Sequence, residues 1–202
     1  MPSLELPLVL IAILAGTLAV TSASRGAWVA IAVLAVCSSA LEFSQLDPNR
    51  IGLLMRLSAI GLGLVVAIPE SLFERAALRR DLTLRALVTT LREHPVVVAS
   101  AVAGLLLGLV PLALPIESSR DALRAAGIAL LVVGLPPLLT SRFIEATTRA
   151  AVVTLSGTLL LRTSIFGALD PLAALAVAAG FTCILVVGGG VASRISNAEE
   201  ER

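Results

Sequence analysis

Apolar runs of 17 to 23 residues follow one another along this chain, separated by polar or charged breaks. A run near ~20 residues is what a helix needs to cross a hydrocarbon core of about 30 Å. Inside hydrocarbon every peptide group must find its hydrogen-bond partner within the protein, which holds such runs in closed secondary structure. The expectation is an all-α integral membrane protein with about seven transmembrane helices. The runs are Leu6–Ser22, Gly26–Phe43, Ile51–Phe73, Val96–Leu114, Ala122–Leu139, Ala150–Phe166 and Leu172–Ala192. The first and sixth are short enough to leave six spans and one re-entrant piece open. The N-terminus has no basic stretch ahead of its apolar run, so that run reads as a permanent span.

The breaks divide the chain into a three-helix segment (1–73), an arginine-rich cytoplasmic or interfacial stretch (74–95), a four-helix segment (96–192) and a short acidic tail (193–202) expected to fray. In the second of these, Leu84, Leu87, Val88 and Leu91 fall at helical spacing, as in an amphipathic helix at a membrane surface. Orientation follows from the arginines, because cytoplasmic loops collect them. With the N-terminus outside, the inner segments hold Arg25, Arg75, Arg79, Arg80, Arg85, Arg92, Arg142, Arg149, Arg194 and Arg202. The outer segments hold Arg50, Arg120 and Arg124, with Arg56 and Arg162 inside runs near that face. The expected topology is N-out and C-in, in the inner cell membrane.

Composition removes several function classes. A soluble domain carries about 25% charged residues, against 14% here, with 57% hydrophobic. A net charge of +1 gives no clustered basic surface for nucleic acid. Cys37 and Cys183 lie in apolar runs and read as small buried hydrophobes. His94 stands alone beside Pro95. No metal-ligand cluster, phosphate loop or serine elbow is present, so neither cofactor nor catalytic residue is expected in the chain.

Charge inside a bilayer is costly, so each such residue is placed by depth. Glu70 follows Pro69 and lies about 28 Å from the start of the third run at 1.5 Å per residue. That depth is the inner interface, among Arg75, Arg79 and Arg80, and Glu70 reads as a headgroup-level carboxylate. Glu42 ends the second run and Arg56 lies about 8 Å into the third. Their depths match across a hairpin, and the expected arrangement is an ion pair that neutralises both and pins the hairpin. The alternative is a relay carboxylate tuned by its arginine. Arg162 is expected to snorkel or to pair with a neighbouring chain. No acid, arginine or histidine falls at the middle of any run, where proton carriers keep theirs. The polar groups there are Ser58, Ser100, Thr154, Ser156, Thr158 and Thr182, which act as interhelical glue or bond back to their own helix. Gly104 and Gly108 form a G-x-x-x-G packing face.

Three features taken together resemble a known family. A short Ser24–Arg25 turn leads into a helix opening on a small residue and an aromatic. The run Val65–Arg80 is an apolar helix, a proline and a basic exit. In Ala129–Ser193, a helix ends at Thr140–Arg142, another ends near Arg162, and Pro171–Leu172 opens the last. This order is similar to hydrogenase-4 component E, seven-span subunits of membrane-bound hydrogenase and complex I-like assemblies. The last three helices of that family resemble the K-type subunit of respiratory complex I.

The resemblance implies partners among antiporter-like and hydrogenase- or complex I-like membrane subunits, within the lipid bilayer. The family's membrane acids are missing here: the corresponding positions read Leu155–Ser156–Gly157 and Pro171–Leu172–Ala173–Ala174. A lysine expected before the third helix's proline is also absent, at Leu62–Gly63–Leu64. The expected function is a non-redox subunit supporting or lining a proton-translocation module in a mainly structural role. Two other readings stand beside it: a self-contained small transporter or channel centred on Glu42 and Arg56, and a membrane scaffold or assembly factor that recruits a partner through residues 74–95.

Overall fold

A computed structural model of the chain describes residues 5–21, 26–43, 50–67, 99, 102, 103, 106 and 119–200. Among these the chain forms six helices and no strand. They are α1 (Glu5–Thr21), α2 (Gly26–Phe43), α3 (Arg50–Ala67), α4 (Ser119–Thr140), α5 (Ile144–Phe166) and α6 (Pro171–Glu200).

Local chemistry sets the helix ends. Asp121 sits in the first turn of α4, where a carboxylate opposes the positive end of the helix dipole. Pro136 and Pro137 lie within the last turn of α4 and remove two backbone donors. The helix continues to Thr140, whose hydroxyl donates to the Pro136 carbonyl at 2.8 Å, while the Ser141 amide donates to Pro137 at 2.9 Å. Gly167 ends α5 at φ 82°, a conformation that favours glycine, and its amide donates to Thr163 O at 3.0 Å. Pro171 then opens α6 at a position where a missing amide proton is harmless.

Several boundaries differ from the sequence expectation. α5 begins at Ile144 rather than Ala150, so the sixth run is a 23-residue helix. The apolar criterion excluded Glu145 and Arg149, yet both continue the helix, and Arg149 is buried at its first turns. α6 continues through the tail to Glu200, past the expected end at Ala192. By length and composition, the described helices long and apolar enough to cross a membrane are Arg120–Thr140 and Pro171–Gly188. Leu6–Thr21 and Ala27–Phe43 are shorter apolar helices.

The six helices pack as a closed ring in the order α1, α2, α3, α6, α5, α4 and back to α1, with α5 also touching α1 and α2 across the middle. Phe181, Ile13, Ile31, Leu34, Leu130, Leu160 and Leu185 are fully buried and fill the interior. Outward, α1 presents Ile11, Leu14 and Leu18, and α2 presents Val29, Val33 and Val36, each set on one helical face.

Cross-contacts give the helix directions. From Arg56 to Gly63, α3 advances beside α6 from Ala174 to Leu185, so these two are parallel. Thr163 shares a cavity with Ala174 and Val177, whereas Thr148 abuts Gly188, so α5 is antiparallel to α6. Gly127 meets Gly157 and Leu161, and Gly134 meets Ala150 and Thr154, so α4 is antiparallel to α5. α2 meets the first turns of α3 with its last turn and packs along it, and α1 reaches α2 across residues 22–25. Hence α1, α3, α4 and α6 run one way, and α2 and α5 the other. α3 therefore ends at one end of the bundle and α4 begins at the opposite end.

Among the described helices, α4 and α5 meet backbone to backbone. A Cβ at Gly127 would lie 2.7 Å from the Leu161 amide nitrogen and 2.9 Å from the Gly157 carbonyl oxygen. A Cβ at Gly157 would lie 2.9 Å from both the Gly127 oxygen and the Leu131 nitrogen. Here backbone touches backbone, a close approach that glycine permits because it has no side chain.

Candidate functional site

Where the last turn of α2 meets the first turns of α3, Arg56 Nη1 donates to Glu42 Oε1 at 2.7 Å. Its Nη2 donates to Ser39 Oγ at 3.3 Å. Ser39 and Glu42 are three residues apart and so lie on one helix face. The Glu42 and Arg56 side chains are 8% and 4% exposed. The ion pair expected from matched depths is thus formed, with Ser39 as a partner that depth alone does not identify. Removing two charges from water is expensive, and the attraction between them offsets that loss only while both partners are present.

The pair borders a cavity of about 20 Å³, lined also by Gly52, Leu53, Thr163, Leu169, Ala174 and Val177. Four parts of the chain supply these residues: α3, α5, the link after α5, and α6. Two of the lining residues carry buried atoms that no protein group hydrogen-bonds, Arg56 Nε and Thr163 Oγ1. Thr163 departs from the habit of its own helix. Thr148, Thr154, Ser156 and Thr158 each donate to the carbonyl four residues back at 2.7–2.9 Å. Ser58 and Thr182 do the same on α3 and α6. Of the two roles open to the mid-run hydroxyls, these bond to their own helix.

Other expected residues fall as follows. Arg162 Nη1 donates to the Gly167 carbonyl at 3.2 Å, so it closes the end of its own helix, a use of arginine the depth argument did not anticipate. Arg50 stacks over the Phe43 ring at 5.7 Å, tying the two ends of the α2–α3 hairpin. Cys37 is buried as expected; Cys183 is exposed, because it lies on the outer face of α6 with Ala179 and Val187 rather than toward α5. Glu70, Arg75, Arg79, Arg80, His94, Gly104 and Gly108 lie outside the described residues.

No family model, curated protein or solved structure matches the chain.

Sequence reasoning missed Thr163 and the glycines of the α4–α5 seam. Gly127 and Gly134 are seven residues apart, a heptad spacing that puts them on one face, and this signal was readable. Thr163 had none, since nothing in the local sequence relates it to a residue more than a hundred positions earlier. Chemically, the assembled site offers a fixed charge pair, one hydroxyl and room for a very small polar molecule. Among the described residues no three of His, Cys, Asp and Glu gather as metal ligands.

Proposed function

We propose that this chain is a seven-span, N-out and C-in integral membrane protein of the inner cell membrane, acting as a non-redox subunit of a hydrogenase- or complex I-like assembly. The observation that carries the structural role is the filled centre of the bundle. Between the ion pair at one end and Thr148 at the other, the interior holds Ile13, Ile31, Leu34, Leu130 and Phe181. The hydroxyls at that level are spent on their own helices. A carrier needs ionisable groups along its path, and among the described residues the buried carboxylate is Glu42, already paired.

Helix direction supports the span count. Four helices running one way and two the other need an odd number of crossings between α3 and α4, which is what an added span at Val96–Leu114 supplies. The outward apolar faces of α1 and α2 suit lipid or a neighbouring subunit. Assignment to the hydrogenase-like assembly rests on the order of helices and turns given above.

Purification from membranes at native expression, with mass spectrometry of the co-purifying chains, tests the assignment. The expected result is stoichiometric recovery of larger multi-span subunits, antiporter-like in hydropathy, with a redox module attached. Recovery of the chain alone, or as a homo-oligomer, contradicts the subunit reading and favours the self-contained transporter.

A further inference from the structure

We propose that the cavity beside the Glu42–Arg56 pair is a binding site for one internal water, shared by Arg56 Nε and Thr163 Oγ1. Both residues line it, and both are almost fully buried, at 3% and 2% exposure. Neither atom has a protein partner. Buried polar atoms in proteins are nearly always hydrogen-bonded, to ordered water where no protein group is in reach. The volume of about 20 Å³ exceeds the ~10–15 Å³ that one water requires, and two polar partners meet the minimum for an ordered one.

Charge and size select water over an anion. Glu42 already neutralises Arg56, so a halide would add an uncompensated charge to a buried site, at a large desolvation penalty. A halide is also larger than water and poorly suited to this volume. Water accepts from the Arg56 Nε–H and exchanges a hydrogen bond with the Thr163 hydroxyl, serving both groups without net charge. The site then joins three helices. Ser39 and Glu42 on α2 hold two nitrogens of Arg56 on α3, and the water ties the third nitrogen to α5. This accounts for a Thr163 hydroxyl without a protein partner on a helix where Thr148, Thr154, Ser156 and Thr158 bond to the carbonyl four residues back. The water site belongs to the chain itself, whatever the chain assembles with.

A structure of the purified chain at a resolution that shows ordered water, with a second data set in bromide, tests the site, alongside thermal unfolding of variants. The expected map has one peak within hydrogen-bond distance of Arg56 Nε and Thr163 Oγ1, unchanged by bromide. Thr163→Val, which keeps the shape and removes the hydroxyl, should lower the melting temperature by roughly 2–4 °C, while Thr163→Ser stays near the parent. In a Glu42→Leu/Arg56→Leu background the same Thr163→Val change should shift it hardly at all. No peak at the site, a bromide signal there, or an equal loss in both backgrounds overturns the proposal. The map decides even if a variant fails to fold.

Discussion

Glu42→Leu alone and Arg56→Leu alone should each destabilise the folded chain by about 3–5 kcal/mol, because each strands a buried charge. The double variant Glu42→Leu/Arg56→Leu should recover most of that loss and can exceed the parent, since leucines of comparable bulk have no desolvation penalty. Denaturation of the purified chain in mixed micelles measures all four members of this cycle. A strongly negative coupling between the single losses is the expected signature of two charges that exist for each other. If the single variants each lost less than about 1 kcal/mol, the pair would be behaving as a solvated surface bridge, contrary to its burial. The distinction matters for function. A carboxylate that can be replaced together with its arginine and leave a stable bundle is a fastener for the α2–α3 hairpin.

The second large effect belongs to the α4–α5 seam. Gly157→Leu and Gly127→Leu push a side chain against backbone that has no rotamer to give. Even the first added carbon sits 2.7–2.9 Å from a peptide nitrogen or oxygen of the facing helix. Overpacking in a close-packed interior costs about 1–3 kcal/mol and more where backbone must move, so the alanine variants should fall in that range and the leucine variants beyond it. Gly61 and Gly180 provide the contrast, because an added Cβ there meets nothing within 4 Å. At those positions Gly→Ala should gain up to about 1 kcal/mol from helix propensity alone. Parallel losses at all four glycines would show that the seam is not what distinguishes them.

Hydropathy located the six described helices and helical depth found the ion pair, for the same reason: both depend on position along a straight rod. Rise per residue put Glu42 and Arg56 level with each other before any packing was known, and the two side chains do meet. Ends were less legible where charge continues a helix. Glu145 and Arg149 looked like a boundary to hydropathy, but helix formation needs only backbone bonds, and α5 runs through them. Cys183 shows the limit of reading burial from apolarity, since in an apolar run the inward and outward faces have the same chemistry. Thr163 and Leu169 reach the ion pair only because α5 and α6 close the ring beside α3, a relation between distant segments that no local pattern carries.

The directions of the helices leave one sharp consequence for topology. Single cysteines at Thr83 and Ser118, in a chain with Cys37 and Cys183 replaced by alanine, can be probed in intact cells with a membrane-impermeant maleimide. If the proposed seven-span bundle is right, Ser118→Cys should label from outside in intact cells and Thr83→Cys only after permeabilisation, because parallel α3 and α4 then require an odd number of crossings between them. Labelling of both from the same side would mean an even number of crossings between α3 and α4, and would contradict the seven-span bundle.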